Sequence, residues 1–327
     1  MTLDEIKDFL GQDWKDTDAL IRSSLESDIS LLNATNKAIL DHSGKQLRPI
    51  VSLLVARACG GGRVNADSVR YAAAAELLHN ATLLHDDVAD SSCERRGAPT
   101  VMAILGGPAS VLLGDLWLVK ALENILASSA NCNEVIRIFA GTLSSLAEGE
   151  MLQLQKASSG DTVEEDYYRI IYSKTASLFE AAFVSAAISV NAPADWIEAV
   201  RDYAVSLGIA FQIKDDIFDY SDGKKIGKPV GIDLEEQKIT LPLLGALAAA
   251  SPERANQIRG MVLDILEHPE YKEEIVGFVK EGKGIEYAVS RLEDYVSKAV
   301  DALAVLPDSK EKDYLVKIAG FTAYRDK

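Results

Sequence analysis

The sequence is poor in the residues that several common chemistries need. It has three cysteines, Cys59, Cys93 and Cys132, far apart and with no CxxC pair. Neither a zinc site nor a disulfide framework is indicated, and a reducing compartment is expected. Histidine is as scarce, with four in 327 residues. Basic residues are outnumbered, 34 Lys and Arg against 50 Asp and Glu, for a net charge of −16. That balance argues against nucleic acid as the main partner, because such binding rests on Lys and Arg neutralising phosphates. Phosphorylated small molecules stay open, since they need only a local group of cations. Long apolar runs are missing too: AAFVSAAISV at 181–190 falls short of the roughly 20 residues of a membrane span. MTLDEIKDFL at the start has no basic region followed by an apolar one, so a soluble, cytoplasmic protein is expected.

What is present is an ordinary globular balance, 48% hydrophobic and 26% charged, which excludes disorder and collagen. The length gives a prior of about two domains, but one large helical core also absorbs it. Alternating strand patterns are few. Apolar residues recur every three or four positions in 19–40, 50–59, 66–85, 109–127, 133–155, 164–190, 195–220 and 240–248, and again in 254–267, 270–281, 284–304 and 309–320, the helical signature. Pro49, Pro108 and Pro242 sit where helices begin, Gly60–Gly62 marks a turn, and 221–233 reads as a loop. With no linker or repeat, the expectation is one all-α domain over 1–327, a large bundle of antiparallel helices.

Two segments resemble each other, LLHDDVAD at 83–90 and QIKDDIFD at 212–219. Each ends an apolar helical run in a DDxxD. On a helix, positions i and i+4 share a face about 6 Å apart. Asp86 therefore projects with Asp90, and Asp215 with Asp219, while Asp87 and Asp216 turn about 100° away. Like charges so placed cost a helix about 0.2–0.5 kcal/mol per pair. One such motif alone reads as a solvated acidic face. Two, both within strongly apolar helices, point to a bound cation. Carboxylate oxygens suit Mg²⁺, which takes one or two carboxylates and completes its shell with water and phosphate. Two facing pairs would hold a diphosphate between them.

Cations gather around these motifs. Lys45 and Arg48 precede a helix in GKQLRP, Arg95 and Arg96 follow the first Asp set, and Lys174, Lys228 and Lys238 flank the second. Any one alone is an ordinary solvated side chain. Clustered in an acidic protein, they make a phosphate site with the carboxylates.

GKQLRP at 44–49, DDVAD at 86–90 with RRG at 95–97, GD at 114–115, GE and Gln at 149–153, KT at 174–175, and FQIKDDIFDY at 211–220 followed by GKPVGIDLEEQKITLPLL resemble the motifs of the trans-prenyltransferases. That family is the polyprenyl (isoprenyl) diphosphate synthases, and its order and spacing are matched from about residue 40 to 245. The resemblance implies the isoprenoid synthase fold, with helices around a deep central cavity, and a homodimer. It implies head-to-tail joining of isopentenyl diphosphate to an allylic diphosphate such as farnesyl diphosphate, with three Mg²⁺ per active site. Asp86, Asp90 and Asp215 would bind Mg²⁺, with Asp216 and Asp219 assisting through water and Asp87 supporting the motif. Arg95, Lys174, Thr175, Gln212, Lys228 and Lys238 would hold the allylic diphosphate, and Lys45, Arg48, His79 and Arg96 isopentenyl diphosphate. The departing diphosphate would take the released proton, so no protein base is needed, in keeping with the scarce histidines. Three positions depart from the pattern: Ala89 stands where Val is common, Ile232 where Asn is frequent, and Gln237 where Gly is frequent.

The resemblance also bears on product length. Thr82 and Ala81 lie about one helical turn, 5.4 Å, before Asp86, with Leu78 further on. In the family, bulky aromatics just before the first Asp set stop the chain at three isoprene units. Small residues here imply an open tunnel and a product of about eight units or more, as in the octaprenyl and related quinone side-chain synthases. Phe139 is the candidate floor. Close helix packing by Ala is the alternative reading, and a farnesyl or geranylgeranyl product stays open. A long product resists water by about 0.8 kcal/mol per CH₂, so membrane contact, detergent or a downstream enzyme is expected to aid release. Other readings fit less well. A di-metal carboxylate bundle needs two ExxH motifs, and only Glu76–His79 matches. A terpene cyclase pairs its DDxxD with a motif of Asn and Ser, and a non-catalytic synthase subunit lacks the Asp motifs.

Overall fold

The computed structural model describes residues 2–220 and 231–324; Lys228, and most of the expected loop at 221–233, lie outside them. Among the described residues helices dominate, and the strands are one antiparallel pair, Glu94–Arg95 with Ala98–Pro99. The all-α reading holds. By its internal contacts the chain divides into two compact units, Met1–Ala140 with Ala181–Arg201 and Val305–Leu315, and Gly141–Glu180 with Asp202–Ala304 and Val316–Lys327.

The first unit opens with α1 (Leu3–Leu10), started by a reciprocal cap between Thr2 and Glu5, then α2 (Gln12–Ser24), α3 (Ser30–Asp41) and α4 (Leu47–Cys59). The single helix expected over 19–40 is thus two. The Asn33 side chain bonds both the N–H and the carbonyl of Ser27, and Asn36 donates to the carbonyl of Leu25, 3.0 Å away. These side chains satisfy the backbone of a turn in place of a helix. Next come α5 (Ala66–Ala89), capped by Asn65, then α6 (Val101–Leu105) and α7 (Gly107–Leu126). Every residue of α5 from Tyr71 to Leu78 is buried, which makes it a central helix. Ala72–Ala75 carry nothing beyond Cβ, so neighbouring helices pack close to its backbone.

The remaining helices are α8 (Cys132–Ser159), α9 (Glu164–Ile171), α10 (Ser177–Ser189), α11 (Ala194–Asp219), α12 (Ile232–Glu235), α13 (Leu241–Ala249), α14 (Pro252–Leu263), α15 (Tyr271–Glu281), α16 (Gly284–Ala302) and α17 (Lys310–Tyr324). In the second unit Ile209, Ile213 and Ile217 form an i, i+4 stripe on α11. They belong to a core with Leu234, Leu241, Leu244, Ile258, Val262, Ile275 and Val279. The run expected over 164–190 is broken by one π-helical turn, Tyr172–Ala176, a departure that recurs at functional sites.

Candidate active site

Helices α5 and α11 both end in their Asp sets, and neither has a basic residue in its last turn. A helix C-terminus carries partial negative charge, worth about 0.3–1 kcal/mol per exposed charge. It adds to the repulsion among the carboxylates, so both ends are built to attract a cation.

In the first unit Asp86 is half-buried, Asp87 is buried and Asp90 is the exposed C-cap. The N–H of Asp90 donates to the carbonyl of Asp86 at 2.8 Å. Asp87 accepts from Nε of Arg95 at 2.8 Å. Arg95 sits on a hairpin whose two turn residues, Arg96 and Gly97, have φ of 55° and 76°, the two positive values of a tight I′ turn. That explains the glycine in RRG. The Arg96 guanidinium lies against Gly44, where an added Cβ would stand 2.6 Å from Cζ, so GKQLRP and RRG are neighbours. Burial lowers the Arg48 pKa to about 10, with Arg96 adding to the shift and Glu76 opposing it. Burial, then the charges of Arg48, Arg96 and Arg95, hold His79 well below its usual value, so it stands neutral at pH 7. Glu76, whose pKa burial raises against the opposing charges of Arg48 and Arg96, accepts from Asn80 at 3.2 Å. Gly114 leaves room for the His85 ring, whose Nε2 lies 3.2 Å from Asp115, an ion-pair distance without hydrogen-bond alignment. The GD at 114–115 thus seats the residue before the Asp set.

In the second unit Asp215 is half-buried and Asp216 is buried. Asp216 accepts from the Tyr167 hydroxyl at 2.6 Å and from Nε2 of Gln212 at 2.9 Å. The Thr175 hydroxyl donates to Oε1 of the same Gln212 at 2.9 Å. Burial pushes the Asp216 pKa up to about 7; Tyr167 and Gln212 oppose the shift, and the charges of Asp215 and Asp219 add to it. The Asp219 carboxylate accepts from the N–H groups of Ile232 and Asp233 at 3.0 and 3.1 Å, holding the start of α12. Lys174 pairs with Glu150 at 2.6 Å and donates to Gln153 at 3.1 Å, which gives the GE and Gln positions their purpose. The π turn carrying Lys174 and Thr175 packs against Gly149 and Gly208; a Cβ on Gly149 would collide with Ser173, and one on Gly208 would stand 2.5 Å from the Ala176 Cα. Lys174, Gln212, Asp216, Asp233 and Lys238 line one cavity of about 190 Å³. Gln237, at a position where glycine is frequent, keeps a left-handed φ of 57° and is anchored by its side-chain amide to the Leu263 carbonyl at 2.5 Å.

The donors fit a divalent, oxygen-ligated cation. They are carboxylates gathered at the C-terminal ends of two helices whose last turns hold no basic residue. Among the described residues no group of three or more metal-ligating side chains converges. A metal here would complete its shell from phosphate and water. Tyr167, Glu76 and Asp233 were not legible as site residues in the sequence, and only Glu76 left a trace, in its Glu76–His79 spacing. Leu78, Ala81 and Phe139 are buried, and Thr82 donates its hydroxyl to the His79 carbonyl at 2.8 Å.

Comparison with known proteins gives one family. The polyprenyl synthetase family model matches residues 29–279. An octaprenyl diphosphate synthase of Escherichia coli (strain K12) is 38% identical over 329 residues, covering 100% of both chains. A decaprenyl diphosphate synthase structure from Rhodobacter capsulatus superposes with a TM-score of 0.92 at 33% identity, covering 99% of each chain. A polyprenyl synthase from Caulobacter crescentus CB15, complexed with calcium and isoprenyl diphosphate, gives 0.89 at 33% identity, covering 100% of this chain and 98% of its own.

Proposed function

Since the chain belongs to the polyprenyl synthetase family, we propose that it is a trans-prenyltransferase that extends an allylic diphosphate with isopentenyl diphosphate to a long all-trans polyprenyl diphosphate. The observation that carries this reading is the repeated arrangement at the ends of α5 and α11. Each is an Asp set whose middle carboxylate is held internally, with cations fixed nearby in the same unit. The full-length likeness to an octaprenyl synthase supports the long product, of about eight isoprene units by the small residues one turn before Asp86. The family match runs continuously over 29–279 and draws on residues of both units, which supports one isoprenoid synthase domain.

The residue roles follow the chemistry. Bound Mg²⁺, three ions in this reading, supplies the charge that stabilises the departing diphosphate. Asp86, Asp90 and Asp215 are its ligands, with Asp216 and Asp219 behind them. Arg95, Lys174, Thr175, Gln212, Lys228 and Lys238 hold the allylic diphosphate as its C–O bond breaks. Lys45, Arg48, Arg96 and the neutral His79 hold isopentenyl diphosphate. Its double bond forms the new C–C bond with the allylic cation, and a proton then passes to the released diphosphate. Leu78, Ala81, Thr82 and Phe139 are assigned to chain length.

A homodimer is part of the same reading. Leu112, Val119 and Leu126 fall seven residues apart along α7 and are 47–69% exposed. That spacing suits packing against a second copy. No described helix is long and apolar enough to cross a membrane. The cytoplasm is the proposed location, with release of product aided at a membrane surface.

The test is incubation of the purified chain with Mg²⁺, farnesyl diphosphate and labelled isopentenyl diphosphate, with products sized by chromatography. A ladder ending near eight units supports both activity and length. A stop at three or four keeps the activity and removes the roles given to Ala81 and Thr82. No product removes the reading.

A further inference from the structure

Helix α1 reaches the loop assigned above to isopentenyl diphosphate. Lys7, half-buried on α1, donates through Nζ to Oε1 of Gln46 at 3.3 Å, and its ammonium lies 4.6 Å from the centroid of the Trp14 ring. Gln46 follows Lys45 and stands two residues before Arg48. Its backbone is left-handed, with φ 52° and ψ 41°, a conformation that a residue other than glycine keeps only where its surroundings enforce it. The charge of Lys7 also acts on the buried carboxyl of Glu76, together with those of Arg48 and Arg96.

Helix α1 is itself held firmly. Arg57, near the far end of α4, donates to the carbonyls of Phe9 and Leu10 at 3.0 and 2.6 Å and pairs with Asp13. The Phe9 ring lies 5.0 Å from that of Tyr314. The short helix is therefore tied to α4 near its last turn through Arg57, and to the loop before its first turn through Lys7. No sequence motif pointed to Lys7, and it precedes residue 29, where the family match begins.

We propose that Lys7 is a positioning residue for isopentenyl diphosphate. It fixes Gln46 so that Lys45 and Arg48 present their charges together, and it adds its own charge to that group. The inference rests on the assignment of Lys45 and Arg48 to that diphosphate.

The test compares wild type, Lys7→Gln and Lys7→Arg as full chains, by steady-state kinetics in each substrate and by calorimetric titration with isopentenyl diphosphate. Lys7→Gln is expected to raise the KM for isopentenyl diphosphate and weaken its binding by about three- to tenfold. It should leave the KM for farnesyl diphosphate unchanged and lower the thermal midpoint by only a few degrees, with Lys7→Arg recovering most of the loss in isopentenyl diphosphate binding. If Lys7→Gln folds poorly, Trp14→Leu, which removes the ring beneath the ammonium, should move the same KM by a smaller factor. An unchanged KM for isopentenyl diphosphate, or equal rises in both KM values, overturns the proposal. Wild-type protein that neither binds isopentenyl diphosphate nor elongates is a separate outcome, which overturns the proposed function and this inference with it.

Discussion

The ends of α5 and α11 carry the same acidic pattern, but they bury its middle carboxylate among different partners. Asp87 meets a full positive charge, the Arg95 guanidinium at 2.8 Å. Asp216 meets two neutral donors, Tyr167 and Gln212, and its pKa is pushed up to about 7. The first arrangement ties an anion to the hairpin that carries Arg96. The second ties a carboxyl to Thr175 through Gln212, and so to the π turn that carries Lys174. One motif thus serves two supports. Its outer carboxylates face a cation in the proposed reading, and its middle one organises whichever basic residues lie nearby.

The largest expected effect tests what the two ends share. Asp86→Asn and Asp215→Asn should each lower kcat/KM for the allylic diphosphate by about 10²–10³-fold, the loss typical when one preorganised stabiliser of transition-state charge is removed. Steady-state kinetics checks this, and a large loss in only one variant would break the parallel. Arg95→Gln then sharpens the difference. It leaves a buried carboxylate without its guanidinium and should destabilise the fold by about 1.5–3 kcal/mol in urea titrations.

Asp216 predicts a pH slope. In the folded chain it keeps a proton that the unfolded chain has released once the pH passes about 4. The folded state therefore binds more protons between pH 4 and about 7, and stability falls as pH rises across that window, levelling off above it. The slope is at most ~1.4 kcal/mol per pH unit for one group, and Asp216→Asn should flatten it. Burial raises Asp219 and Asp233 in the same direction, so part of the slope should remain. The smallest effect belongs to Tyr167→Phe, about 0.5–1.5 kcal/mol for one neutral hydrogen bond. A loss equal to that of Arg95→Gln would erase the distinction between the two ends.

The parts of this site legible in the sequence are those written in local spacing. Asp86 with Asp90, and Asp215 with Asp219, follow from the helical period, and the cations of GKQLRP and RRG follow from their nearness to those motifs. The partners brought in by tertiary packing were not legible. Tyr167 lies 49 residues from Asp216 and carries no spacing signal. The π turn at Tyr172–Ala176 is invisible in an apolar run that reads as continuous helix, although Gly149 and Gly208 make the room for it. The split of 19–40 leaves no mark in the apolar spacing, because Asn33 and Asn36, residues ordinary on a helix, bond the turn before them. Gln237 departs from a frequent glycine in the sequence, but that it keeps the left-handed backbone, held by the Leu263 carbonyl, appears only in the fold.

The measurement closest to the central claim is calorimetric binding of inorganic pyrophosphate to wild type, Asp86→Asn and Asp215→Asn, with and without Mg²⁺. Binding by wild type only when Mg²⁺ is present, and its loss in both variants, is the result predicted if both acidic helix ends serve the same metal–diphosphate chemistry. Binding that ignores Mg²⁺, or that survives intact in either variant, would contradict it.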